Sequence, residues 1–271
     1  MRLIMKKLVL ALTSLAAFSG TALAADMAVK APAYKAPPPV AVYNWSGFYV
    51  GLNGGGGSAH TCWNVESAFG TAANPPPSEG CHDATGGTVG GQVGYRWQAT
   101  NWVFGLEAQG NWANFSGSNL NSELTLNRVL GANDVTKIDA FGLFTGQVGY
   151  AFNNVLIYAK GGAAVVSDKY DVALNAAGAA AVGNSTFAGQ TLATGSETRW
   201  GGTVGAGVEF GFAPHWSVAL EYDHLFMGSN NVTQNFSLLG LSGPLVQGIG
   251  QNIDIGTVRV NYTFGGPVVA K

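Results

Sequence analysis

From Trp45 onward, apolar and polar residues alternate with a period of two, the spacing at which side chains of an extended strand share one face. The alternation falls into eight segments, approximately 46–58, 86–97, 101–115, 138–152, 155–166, 198–212, 215–227 and 253–264. In the third, Trp102, Phe104, Leu106, Ala108, Gly110 and Trp112 share a face. The sixth aligns Trp200, Gly202, Val204, Ala206, Val208 and Phe210, and the seventh Trp216, Val218, Leu220, Tyr222, His224 and Phe226. Each of these faces begins and ends on an aromatic residue. At a rise of about 3.3 Å per residue and a tilt near 40°, the two ends stand roughly 25 Å apart, the height of an outer-membrane apolar band between its aromatic girdles. A soluble barrel has no reason to space aromatics that way. Trp102, Trp112, Trp200, Phe210, Trp216 and Phe226 are therefore expected to form the girdles.

The connections alternate in length. Those near 59–85, 116–137, 167–197 and 228–252 are long and polar, whereas Gln98–Thr100, Asn153-Asn154 and Ala213-Pro214 read as tight turns. The stretch Asp168 to Glu197, rich in Ala, Gly, Ser and Thr, is expected to be a mobile loop. Together the pattern predicts an all-β chain, an eight-stranded antiparallel up-and-down transmembrane β-barrel with its termini and short turns on the periplasmic side.

The opposite faces of the same strands are polar or glycine: Gly105, Glu107, Gln109 and Asn111 in the third, Thr203, Gly205, Gly207 and Glu209 in the sixth, and Gln92, Gly94 and Arg96 in the second. Counted from the periplasmic end, Glu107, Lys160, Glu221 and Arg259 come to nearly one height. Unpaired charges in a narrow interior are costly, so the four are expected to pair with one another. Two roles are open to such a layer: a plug that fills an eight-stranded lumen, favoured because that lumen is only wide enough for side chains, or an ion gate. The many lumen glycines argue for leftover space.

The residues before Trp45 change the picture of where the chain goes. Arg2, Lys6 and Lys7 precede the apolar stretch Leu8 to Phe18, and Ala22-Leu23-Ala24 follows, the three regions of a cleavable export signal. The apolar stretch falls short of the roughly 20 residues a spanning helix needs. Residues 1–24 are therefore expected to be a signal peptide, 25–43 a proline-rich periplasmic linker, 44–264 the barrel and 265–271 a C-terminal tail. Loss of the signal moves the formal charge from −2 to −5, and no basic patch is present, which argues against a nucleic-acid partner. Charged residues are 10% of the chain, against about 25% in ordinary soluble domains. In an oxidising compartment, Cys62 and Cys81 are expected to form a disulfide. A zinc site with His60 and His82 is the alternative, disfavoured because the cysteines stand too far apart in sequence for the usual ligand spacing.

No cofactor is predicted, and no enzyme site. Only His224, beside Asp223 and near Ser229, resembles part of a hydrolytic set. Neighbouring residues on a strand point to opposite faces, so Asp223 is poorly placed to orient His224. The glycines of Gly86-Gly87-Thr88-Val89-Gly90-Gly91 lack the following helix and Lys-Ser/Thr pair of a phosphate loop.

Asn44-Trp45-Ser46-Gly47-Phe48-Tyr49-Val50-Gly51 resembles the opening strand of the small immunogenic outer-membrane barrels of alphaproteobacteria, relatives of the OmpA transmembrane domain and of opacity-type surface proteins. Gly94-Tyr95-Arg96-Trp97 with Asn101 to Trp112 is similar to that family's second hairpin, Gly146 to Gly162 to its fourth and fifth strands, and Trp200 to Tyr222 with Val258 to Phe264 to its closing half. The resemblance runs from Asn44 to Phe264, loop interiors aside. It implies a surface barrel of the outer membrane, in contact with lipid and lipopolysaccharide. It also implies that Phe264 is the aromatic end signal read by the barrel assembly machinery, here followed by Gly265 to Lys271. Long loops leave a host or phage ligand open without naming one.

Overall fold

The computed structural model describes residues 43–121, 131–236 and 243–264; the expected signal peptide, the linker up to residue 42 and the tail after Phe264 lie outside these residues. Eight long antiparallel strands follow in order: β1 (Gly47–Ala68), β2 (Ser78–Ala99), β3 (Trp102–Leu120), β4 (Ala132–Phe152), β5 (Val155–Leu174), β6 (Thr191–Ala213), β7 (Trp216–Phe236) and β8 (Pro244–Phe264). Each pairs with the next in sequence, and β1 pairs with β8 from Phe48↔Phe264 to Ala68↔Leu245, so the sheet closes on itself. Thr71–Ala72 adds a two-residue ladder at the tip of β1. Closure removes the exposed edges that a flat sheet of this length would present.

At one end the strands are joined by two-residue turns in which Thr100, Asn153 and His215 take left-handed φ values of 58°, 56° and 70°. Above these turns the outward face is apolar: Leu52, Leu106, Val148, Ile157, Val208, Leu220 and Val258 are all exposed. Trp102, Phe210 and Trp216 lie toward the short-turn end of this band, and Trp112, Trp200 and Phe226 toward the other; all six are exposed, Trp112 at 75%. Phe264 is exposed too, its ring 5.9 Å from that of Phe48 where the barrel closes.

The strands run well past the band. They hold 19 to 23 residues, where about 9–11 suffice to span a membrane. Much of what was expected as loop at 59–85, 116–137, 167–197 and 228–252 is therefore strand. The reason is a change of solvent along each strand. Toward the short turns β8 turns Val258, Val260 and Tyr262 outward, and farther along Ile255, Ile253 and Ile249 turn inward. The apolar positions switch from even to odd while the strand continues unbroken, so no single apolar face marks the whole strand. The expected mobile loop is likewise shorter than predicted: between β5 and β6 stand a short helix, α1 (Ala176–Ala181), capped by Asn175, and a single 3₁₀ turn at 185–187. Register shifts on β3, β4 and β7 mark bulges. At the β7 bulge Gly228 adopts φ +67°, a conformation that favours glycine, and the inward set changes from Leu225 and Met227 to Val232 and Gln234.

Candidate functional site in the barrel lumen

The interior is built in levels. Nearest the short turns, Tyr43, Trp45, Val103, Ala151, Leu156 and Tyr158 form an apolar cluster, so Tyr43, assigned above to the linker, belongs to the barrel. Its ring lies 4.5 Å from that of Trp45, and a Cβ at Gly211 would stand 2.3 Å from it. The bare glycine backbone of β6 is what admits the ring.

Next comes the charged layer. Strands β3, β5, β7 and β8 bring Glu107, Lys160, Glu221 and Arg259 together. The Lys160 ammonium stands 2.7 Å from Glu221, 3.2 Å from Asp223 and 3.5 Å from Glu107. Arg259 donates from its two terminal nitrogens to Glu221 and Glu107, bridging the carboxylates. Tyr49 and Tyr158 donate to the same acids, each at 2.6 Å. A second ion pair lies beside the first: Arg96 reaches Glu209 at 2.8 Å, donates to Gln147 at 3.2 Å, and lays its guanidinium 4.5 Å from the centre of the Tyr49 ring. Ser217 and Asn261 also donate to Glu209. All these charges are buried. Glu107, Glu209 and Glu221 thus each have a cation and at least one neutral donor or second cation, the condition under which ionised groups persist away from water.

Sequence reasoning placed Arg96 and Glu209 in the lumen without pairing them and left Asp223 out of the cluster. Asp223 was legible: it follows Glu221 by two on the same inward face. The Arg96–Glu209 pair joins β2 to β6 across the barrel, and no sequence spacing encodes that. The tyrosines also explain the glycines. A Cβ at Gly94 would lie 2.5 Å from the Tyr49 ring and one at Gly207 2.4 Å from Tyr158. The space those glycines were expected to leave is occupied by aromatic rings.

Above the charges, Phe115, Ile138, Phe141, Leu143, Leu225, Met227, Ile253 and Ile255 form an apolar level. A polar level then pairs Arg199 with Asp168 at 3.4 Å and with Glu197 at 3.1 Å. Trp63, Tyr170, Val172, Leu174, Leu192 and Ile249 make a second apolar cluster, beside which Asn121 donates to Glu79 at 2.6 Å and to Asp134 at 2.9 Å.

The remaining candidates lie elsewhere. Cys62 and Cys81 are directly opposite in the β1–β2 register and joined by a disulfide. Together with His60 they place potential ligand atoms within 4.8 Å of one another, but sulfurs bonded to each other offer no thiolate to a metal. His82 points inward to Asn119 and Thr136, away from His60. His224 bonds not to Asp223 but to Asp254 on β8, at 2.6 Å, where Tyr222 also donates. Ser229 sits beyond the bulge, paired with Gly250.

A family model described as the outer membrane protein beta-barrel domain matches residues 11–243. The 31 kDa outer-membrane immunogenic protein of Brucella melitensis is 32% identical over 268 residues, covering 96% of this chain and 100% of that one, and its Brucella suis counterpart matches to the same extent. Among solved structures, the outer membrane protease OmpT of Escherichia coli aligns with a TM-score of 0.49 at 11% identity, over 80% of this chain and 97% of its own. Ail, the attachment invasion locus protein of Yersinia pestis, aligns with a TM-score of 0.37 at 14% identity, over 81% and 99%.

Proposed function

The chain belongs to the outer-membrane β-barrel family and resides in the outer membrane, and from that premise we propose that it is a surface scaffold with a plugged lumen rather than a solute pore or an enzyme. One observation carries the reading: Arg259 spans from β8 to Glu107 on β3 and Glu221 on β7, with Lys160 of β5 beside them, and an apolar level lies farther out along the lumen. An ion crossing this lumen would have to separate buried charge pairs and then pass a dry section, both unfavourable by several kcal/mol. Function then rests on the outer wall and on the strand extensions and loops, which present polar surface to the exterior for a host or phage ligand. Lipid and lipopolysaccharide contact the apolar band, and Phe264 serves as the end signal for the assembly machinery. Cleavage after Ala24 delivers the chain to that route.

The test is planar-bilayer conductance of the refolded barrel beside Glu107→Gln and Arg259→Gln. A silent, demonstrably inserted wild type is expected. Discrete wild-type openings whose ion selectivity shifts in the variants would replace the plug with a narrow gated channel.

A further inference from the structure

The lumen chemistry leaves one compact group unused: His60, Cys62, Cys81 and Asp83. All four stand on the outer face of the β1–β2 hairpin, with His60 opposite Asp83 and Cys62 opposite Cys81. Cys62 lies roughly 35 Å above Phe48 at the rise and tilt of such strands, beyond an apolar band of about 25 Å, so the group is in water on the exterior side. The His60 ring is held at both nitrogens. Nδ1 is 2.7 Å from the Asp83 carboxylate, and Nε2 is 3.6 Å from the Cys62 sulfur. On the other side His60 faces neutral Asn252 of β8, while Asp254 stands in the next outward row, opposite Ser58. His82 faces the lumen. Carboxylate, imidazole and one sulfur are therefore in line, and the second sulfur belongs to Cys81, the more exposed of the two cysteines.

We propose that this is a thiol–disulfide exchange site in which Cys81 is the sulfur attacked and Cys62 the sulfur released. A small thiol, as its thiolate, attacks Cys81 Sγ; the electron pair of the Cys62–Cys81 bond passes to Cys62, and a mixed disulfide forms on Cys81. A ring protonated at both nitrogens donates from Nδ1 to Asp83 and from Nε2 to the departing sulfur. The proton the small thiol gave up to solvent returns to Cys62 by way of Nε2. A second thiolate then attacks the small-thiol sulfur of the mixed disulfide, releasing Cys81, which takes a proton, and a small disulfide. Two thiols are oxidised and the protein disulfide is reduced to two thiols; the reverse sequence restores it. Exchange is faster when the leaving sulfur is stabilised as a thiolate, and the attacked sulfur is the one a reagent can reach. Asp83 is a positioning residue, since the bond at one imidazole nitrogen sets what the other can do.

The full folded barrel in lipid is treated with reduced glutathione, quenched with acid, and the adduct mapped by mass spectrometry. The adduct is expected on Cys81. His60→Ala is expected to slow reduction roughly tenfold through loss of leaving-group stabilisation, and Asp83→Asn less, while His215→Ala at the opposite end of the barrel leaves the rate unchanged. In Cys81→Ser, alkylation of Cys62 by iodoacetamide slows when His60 is also replaced by Ala. An adduct on Cys62, an even split between the two sulfurs, or a His60→Ala barrel reduced at the wild-type rate overturns the proposal. The adduct position is read in the unmutated protein and does not depend on any variant folding.

Discussion

At the scale of the residue, the lumen is an arrangement of charges whose worth lies in their partners. Arg259 is fully buried between two carboxylates, so replacing it leaves both to share Lys160 and their tyrosine donors. Arg259→Met is expected to cost about 3–5 kcal/mol, the usual result of removing one partner from a buried ion pair. Lys169→Met, which breaks the exposed pair with Asp139, is expected to leave the melting temperature almost unmoved, because solvent already screens that interaction. The heat-induced change in gel mobility of the two variants in one detergent measures the difference. A second residue couples the barrel to pH. Asp134 sits at the far end of β4, outside the membrane, where burial first and the nearby Glu79 second push its carboxyl up to about 8, against a hydrogen bond from Asn121. A carboxyl whose folded pKa is raised binds more protons folded than unfolded. Its stabilising contribution is complete below the ordinary aspartate range near ~3.9 and is lost as pH rises toward the folded value. Stability is therefore expected to fall between about pH 4 and 8 through this group. Asp134→Asn should flatten that slope in denaturant titrations run across the range.

At the scale of the element, each strand crosses two solvents. In the band the apolar side chains meet lipid and the polar ones fill the lumen; farther out the apolar ones turn inward and water takes the other face. The outer extension thus behaves as a soluble β-barrel continuous with a membrane one, held by its own core. Trp63 is central to that core: it is fully buried, and its ring meets the Tyr170 ring edge-on at 5.5 Å. Trp63→Ala is expected to cost about 3–5 kcal/mol and to loosen the extension first. Amide exchange should accelerate near Trp63, Tyr170, Leu192 and Ile249 while the amides of the band around Leu106 and Val208 stay protected. Uniform acceleration along the strands would mean that extension and band unfold as one unit.

At the scale of the molecule, alternating apolar and polar levels fill the lumen from the short turns outward. The levels are built across the barrel rather than along any strand: Arg96 of β2 reaches Glu209 of β6, and Arg259 of β8 reaches Glu107 of β3. Both of these contacts tie strands that are not neighbours in the sheet, so the plug also braces the wall against shear. The conductance experiment is a measurement at this scale, because a current would require several levels to open together.

How much of this was legible differs from level to level. The aromatic spacing of Trp102 and Trp112, or Trp216 and Phe226, needs only a fixed rise per residue and a membrane of fixed thickness. The same local rule placed Glu107, Lys160, Glu221 and Arg259 at one height, and cysteine chemistry in an exported chain pointed to Cys62 with Cys81. The extensions escaped because residues such as Trp63 and Ile249 put the apolar side inward, the reverse of the sense in the band, and a pattern cannot say where lipid ends. The bond of His224 to Asp254, the entry of Tyr43 and the filling of Gly94 and Gly207 by tyrosine rings were not legible at all. By itself, then, the sequence determined the strands, their order, the faces within the band and the compartment, since each follows from period, turn chemistry and composition along the chain. Only the tertiary structure decided which charges meet, what occupies the glycine hollows and where the apolar side turns inward, because those depend on how far one wall of a closed barrel stands from the other.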